Sequence, residues 1–222
     1  IMLILLMDKI LAFSALVLLS PVFLLIIFLL KITGEGEVFF KQERMGKNKK
    51  SFFLIKFATM IKDSPLTGSV TVKDDPRILP FGKFLRYSKI NELPQLINVL
   101  RGDLSLIGPR PQVEQTINFL PEDLKLKLTK ITPGLSGLAS IILRDEENVL
   151  SIVDNPLVFH KQVLTPYKAK LEIWFDRKKN LFDYFTLIIL TILAVMFPKI
   201  KLYNFFYKDR PKAPPELEEI IN

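Results

Sequence analysis

RYSKINELPQLINVLRGDLSLIGPRP, residues Arg86–Pro111, is the stretch that decides how this chain reads. Its first half predicts the start of a helix: Asn91 is among the favoured N-cap types, Glu92 suits the positive end of a helix dipole, and Pro94 is tolerated in a first turn. Its second half predicts a turn-rich loop. Gly102-Asp103 ends the helix, Leu104 to Ile107 is a short apolar run, and each proline of Gly108-Pro109-Arg110-Pro111 biases the residue before it toward extended backbone. Arg110 is thereby carried on stiff chain. A carboxylate at a helix start, with Arg86 upstream and Arg110 between prolines, makes a pocket suited to a phosphorylated ligand and a metal ion. Taken singly, Asn91-Glu92 could be no more than a cap and Arg110 no more than a surface arginine. Their convergence in one short stretch favours a site.

Composition narrows the chemistry. The chain has 222 residues, 49% of them apolar, and a formal charge of +8, which points to anionic partners: membrane lipid, nucleotide or nucleic acid. It has no cysteine, and His160 is its only histidine, which excludes disulfides and thiolate metal sites and argues against a zinc centre or a serine-histidine triad. A metal here is expected to be hard and bound by oxygen. Nucleic-acid binding is disfavoured, because no recognised binding motif is present and the basic residues are dispersed among apolar segments suited to a membrane.

Ile10 to Leu30 is a run of 21 residues without charge, flanked by Asp8-Lys9 and Lys31. At about 1.5 Å per residue it reaches roughly 30 Å, enough for a membrane span. Ser20-Pro21 lies at its middle. Proline removes a helix hydrogen bond and serine can satisfy a freed carbonyl, so a break is expected there. The residues leave two outcomes open: a kinked span, or a helix-break-helix that enters and leaves the same leaflet. A signal peptide is disfavoured, since no small-residue cleavage site follows.

The runs NELPQLINVL and RGDLSLIGPRP resemble the signature of the bacterial sugar transferases, the monotopic polyprenyl-phosphate sugar-1-phosphate transferases, which carry DELPQ, NVL, GDMS and GPRP in this order. GEVFFKQERMGKNKKSFFLIKFATM, FGKFLR and TPGLSGLASI resemble further blocks of that family, so the likeness covers roughly residues 8 to 200. It implies an α+β fold on a monotopic membrane protein, with a re-entrant N-terminal helix broken at Ser20-Pro21, a small β-hairpin and several amphipathic helices. The corresponding division is a membrane element over 1–33, a cytoplasmic catalytic domain over 34–178, and a C-terminal interfacial helix and tail over 179–222. The implied location is the bacterial inner membrane, with catalysis on its cytoplasmic face.

Along the rest of the chain, Glu37 to Gln42 and Ser51 to Phe57 read as a strand pair around the basic loop Gly46–Lys50. Met60 to Pro80, with Asp74-Asp75-Pro76-Arg77, reads as a loop at the rim of the site. Pro121 to Lys130 reads as an amphipathic helix, Thr132 to Gly137 as a turn, Leu138 to Leu143 as strand-like, and Arg144-Asp145-Glu146-Glu147 as exposed charge. Leu157 to Trp174 reads as a helix interrupted by Pro166. Tyr184 to Phe197, uncharged for only 14 residues, is too short for an ordinary span and reads as interfacial or buried. Lys199 to Lys212 reads as an aromatic and basic interfacial anchor, and the last ten residues as a mobile tail.

The resemblance implies transfer of a sugar 1-phosphate from a UDP-sugar to polyprenyl phosphate, with release of UMP, at the first membrane step of surface polysaccharide or glycoconjugate synthesis. Its implied partners are UDP-sugar, polyprenyl phosphate and membrane lipid, with room for a homo-oligomer and downstream glycosyltransferases. Mg2+ is the implied cofactor, held by Glu92 and, weakly, by Asn91. By the same resemblance Pro109, Arg110 and Pro111 face the nucleotide, while Lys56 and Arg86 support the phosphates. The chain also departs from the family. Ala58 in KFATM stands where arginine is frequent, and the WAQV and GRN patterns are missing. Asn91 stands where the family has its nucleophilic aspartate, and an amide is a poor nucleophile at phosphorus. Glu92 acting as nucleophile, direct attack by the lipid phosphate, and a catalytically silent nucleotide-sugar-binding or scaffold protein are the three readings left open.

Overall fold

Pro21 dictates the first feature of the fold. The computed structural model describes residues 2–62 and 75–221, and in it α1 (Met2–Leu18) and α2 (Ser20–Thr33) meet at a bend of 61°. Pro21 has no N–H to give the Val17 carbonyl, and the Ser20 hydroxyl donates to that carbonyl instead at 2.8 Å. The break thus leaves that carbonyl satisfied. Among the described residues no single helix is long and apolar enough to cross a membrane, but the bent pair passes that test together. Both helices expose large apolar side chains, including Leu6, Phe13, Leu24 and Phe28, a surface that favours lipid over water.

Asp8, which precedes the uncharged run, is the polar anchor of this element. It lies inside α1, 2% exposed, where it accepts hydrogen bonds from the Ser105 hydroxyl (2.7 Å), the Leu106 N–H (2.9 Å) and the Tyr184 hydroxyl (2.7 Å). This carboxylate ties the N-terminal helix to two distant parts of the chain. Farther along α1, Ala12 is fully buried among Leu54, Leu96, Val99 and Leu104.

The strand pair is present as β1 (Phe39–Met45) and β2 (Ser51–Phe57), antiparallel with Phe40 opposite Lys56. α3 (Pro80–Tyr87) and α4 (Gln95–Arg101) follow. Asn98 of α4, fully buried, accepts from the Ile55 N–H at 3.1 Å and donates to the Phe53 carbonyl at 2.8 Å, so one amide satisfies two groups on the free edge of β2. Asp74, expected at the rim of the site, lies outside the described residues.

Two three-residue strands form the frame of the GPRP segment. β3 (Ser105–Ile107) pairs in parallel with β4 (Gly134–Ser136), whose residues read in sequence as part of a turn. Between them lie α5 (Glu114–Ile117) and α6 (Glu122–Leu128). The crossing needs glycine: a Cβ on Gly134 would overlap the Gly108 backbone, and one on Gly108 would sit 3.1 Å from the Gly134 nitrogen.

The strand-like run after β4 is instead a helix, α7 (Leu138–Ile142). Its first turn is held from a distance, by the Glu172 carboxylate accepting the Ala139 N–H at 2.9 Å. α8 (Glu146–Ser151) comes next, then α9 (Pro156–Phe159) and α10 (Thr165–Lys178), which are joined by a wide π turn over His160–Leu164. That turn lets the chain stay helical through Pro166, where an interruption was expected. α11 (Leu181–Met196) buries Tyr184, Leu187 and Leu190 and exposes Phe182, Ile189 and Ile192, the two-faced character expected of it. α12 (Tyr203–Phe206) and α13 (Pro215–Ile221) close the chain. The tail expected to be mobile is docked, with Leu217 fully buried in the main core beside Leu171, Tyr184 and Tyr207.

Candidate active site

The segment that carries Asn91 and Glu92 is shaped before α4 begins. Lys89 adopts the left-handed conformation, φ 59°, and Ile90–Glu92 form one tight 3-10 turn. Asn91 is therefore not the N-cap that its position suggested: α4 starts after Pro94 and has no side-chain cap. Asn91 is 6% exposed, and its Oδ1 is enclosed without a hydrogen-bond partner among the described residues.

Glu92 and Arg110 face each other across this turn. The guanidinium donates from Nη1 to Oε2 at 2.9 Å and from Nη2 to Oε1 at 2.5 Å, a two-pronged ion pair. Arg110 is set in place by its flanks. The Pro109 carbonyl accepts from the Gly134 N–H at 2.8 Å, and the Pro111 carbonyl accepts from Arg44 Nη1 at 3.2 Å, with the Met45 N–H donating to Gln112 O at 2.9 Å. The parallel strands thus grip the segment on one side and the end of β1 on the other.

Burial would raise the Glu92 carboxyl, but the charges of Arg110 and then Lys56 outweigh it and hold the group well below the usual carboxylate range. Lys56 behaves in the opposite way. Burial pushes its amine down to about 7; Glu92 opposes the shift, and the cations Arg110, Arg44 and Arg86 add to it. No carboxylate lies within 4.0 Å of this amine among the described residues. Burial also lowers Lys89 and brings Arg44 to about 10. The site therefore holds more cationic charge than its one central carboxylate neutralises, an arrangement matched to a diphosphate.

Structure brings Lys56, Glu92 and Arg110 together and places Asn91 at their side. Arg86 is turned elsewhere, into an ion pair with Glu147, and its Nε is buried without a partner. Glu146 pairs with Lys168 at 2.5 Å and lies 3.5 Å from His160. The run Arg144–Glu147, expected to be exposed charge, is thus partly built into the wall of the site. Arg44 was also missed. It stands on β1 opposite Phe52, and its charge acts on Lys56. Mg2+ remains to be matched. Glu92 and the orphaned Asn91 Oδ1 are oxygen donors of the type Mg2+ takes, while among the described residues no three His, Cys, Asp or Glu side chains converge. That donor set fits an ion held mainly by substrate phosphates and water.

Comparison with known proteins agrees with this frame. The profile of the family "Bacterial sugar transferase" matches residues 2–198. The exopolysaccharide production protein ExoY of Sinorhizobium fredii is 35% identical over 155 residues, 63% of this chain and 68% of that protein. The uncharacterized sugar transferase EpsL of Bacillus subtilis is 32% identical over 179 residues, 80% of this chain and 79% of that protein. The UDP-glucose:undecaprenyl-phosphate glucose-1-phosphate transferase of Escherichia coli is 34% identical over 176 residues, covering 77% of this chain but only 37% of the longer relative. With its profile match spanning nearly the whole sequence, this α+β chain belongs to the bacterial sugar transferase family, a family of enzymes.

Proposed function

We propose that the protein is a phosphoglycosyl transferase that moves a sugar 1-phosphate from a UDP-sugar to undecaprenyl phosphate and releases UMP. The observation that carries this reading is the Glu92–Arg110 fork beside the unpaired amine of Lys56, a concentration of cations around one carboxylate that suits an anionic diphosphate. Relatives named as undecaprenyl-phosphate sugar phosphotransferases support the choice of substrates. The bent α1–α2 pair suits a re-entrant element seating the catalytic domain on the cytoplasmic face of the bacterial inner membrane.

Lys56, Arg44 and Lys89 bind and orient the diphosphate, and Arg110 neutralises charge as it shifts toward the departing UMP. An oxygen of the lipid phosphate forms a bond to the sugar-bearing phosphorus. The bond from that phosphorus to the bridging oxygen breaks, and its electron pair leaves on UMP. Glu92 does not serve as nucleophile, because both its oxygens are engaged by Arg110 and its depressed basicity weakens it as one. Its role is to position Arg110. Mg2+, if bound, would be held mainly by the substrate phosphates and water, with Glu92 and Asn91 Oδ1 as the nearby protein donors, and would supply further neutralisation of phosphoryl charge. The enclosed Asn91 amide favours one second reading, a silent protein that binds nucleotide sugar without turning it over.

UMP release from a panel of UDP-sugars with undecaprenyl phosphate and Mg2+ separates the two. Turnover by the natural sequence, reduced about a hundredfold or more in Glu92→Gln, is expected. Silence in the natural sequence with turnover in Asn91→Asp would establish the silent reading.

A further inference from the structure

A cavity of about 370 Å3 opens between the α7–α8 segment and the chain joining α11 to α12. Its volume lies within the usual range of small-molecule sites. Val149, Ala194, Ile200 and Ile220 make apolar walls, and Arg144 and Lys201 bring positive charge to them. Arg144 has a side chain only 11% exposed; Nη1 pairs with Asp145 at 3.0 Å, and its Nε is buried with no partner. Hydrocarbon walls with an enclosed guanidinium suit an amphiphile that has an apolar chain and an anionic head.

Position narrows the choice of amphiphile. The same α8 segment that contributes Val149 to the cavity contributes Glu147 to Arg86, whose charge acts on Lys56, and the charge of Arg144 acts on Lys89 beside Glu92. Cavity and site therefore share a wall. On the outer side the lining runs into exposed apolar surface, with Ile152 67%, Met196 63% and Phe205 69% accessible, so a ligand can enter from a lipid phase without crossing water. We propose that this cavity receives the isoprene units nearest the phosphate of the lipid acceptor, with the phosphate reaching toward Glu92; the inference rests on the transferase reading above. The cavity is far smaller than an undecaprenyl chain, so the rest of the tail stays in the bilayer.

The test is photo-crosslinking of the full chain in detergent micelles with a diazirine-bearing farnesyl phosphate, followed by peptide mapping. Label is expected within residues 141–152 and 194–203, displaced by undecaprenyl phosphate and not by an equal amount of phospholipid. Label confined to α1 and α2, or displaced equally by phospholipid, would overturn the proposal. Ala194→Trp fills the cavity and is expected to cut labelling at least about tenfold and to raise KM for farnesyl and undecaprenyl phosphate alike in UMP release. Unchanged labelling in a folded Ala194→Trp protein, confirmed by circular dichroism, would also overturn it. Ser151→Trp, at an exposed lining position, serves in the same way if Ala194→Trp does not fold. Labelling needs no turnover, so a protein that labels here yet releases no UMP would refute the transferase reading and leave the cavity assigned.

Discussion

Asp8 and Glu92 are both enclosed carboxylates, and the difference in their partners separates what builds this molecule from what acts in it. Asp8 accepts from two hydroxyls and a backbone N–H, all neutral, and joins α1, β3 and α11. Glu92 is met by a guanidinium fork, with further cations gathered around it. Neutral donors satisfy a carboxylate and leave nothing over, so the Asp8 cluster is a rivet. Cations in excess of the carboxylate leave charge that only a ligand can neutralise, and that excess makes the Glu92 cluster a binding site.

Removing each carboxylate's partners breaks the comparison most sharply. Arg110→Ala is expected to lower kcat/KM for UMP release about a hundred- to a thousandfold, since it deletes the principal counter-charge and leaves Glu92 enclosed with only Lys56 and Lys89 acting on it. Steady-state kinetics over a UDP-sugar series measures it. Asp8→Ala is expected to do the reverse, costing about 3 kcal/mol of stability by stranding the Ser105, Leu106 and Tyr184 donors. Thermal unfolding in detergent reads that loss. Equal damage to stability from both variants would erase the distinction between rivet and site.

Lys56 gives a smaller, graded test. Its folded-state value near 7 lies below the ordinary 10.5, so between those limits the unfolded chain binds more protons and the fold gains stability as pH rises. Substrate phosphates need the charged amine, so the opposite trend is expected in binding. KM for the UDP-sugar should rise by up to about tenfold per pH unit above 7 and flatten in Lys56→Arg, whose guanidinium stays charged. A KM indifferent to pH in the natural sequence would remove Lys56 from the diphosphate site. The smallest effect belongs to the helix break: Ser20→Ala frees the Val17 carbonyl and is expected to cost about 1 kcal/mol in the same unfolding measurement.

What could be read in the sequence follows from the range of the forces involved. The Ser20-Pro21 break and the β1–β2 hairpin are set by neighbours in the chain, and both were legible. Gly102, left-handed at φ 86°, ends α4 as its position suggested. The misses are long-range. β3 and β4 are three residues each and pair across two intervening helices, so neither carries a strand pattern of its own. α7 is held at its start by Glu172, 33 positions downstream of Ala139, and its short run of four apolar residues and one serine reads equally well as strand. Burial lifts that Glu172 carboxyl to about 7, with the Ala139 N–H opposing the rise, a state that only packing can create. Within the site, the convergence of Glu92 and Arg110 on one pocket was legible, but their direct ion pair was not. The enlistment of Arg44, and the turning of Arg86 toward Glu147, depend on how β1 and α8 pack against the turn.

We propose that this site works by charge neutralisation and without a covalent sugar-phosphate intermediate on Asn91 or Glu92. The most direct test is rapid-quench measurement of UMP released from the UDP-sugar with and without undecaprenyl phosphate. Release that depends wholly on the lipid acceptor, with no burst in its absence, is the predicted result. A burst of UMP stoichiometric with enzyme before any acceptor is added would contradict it.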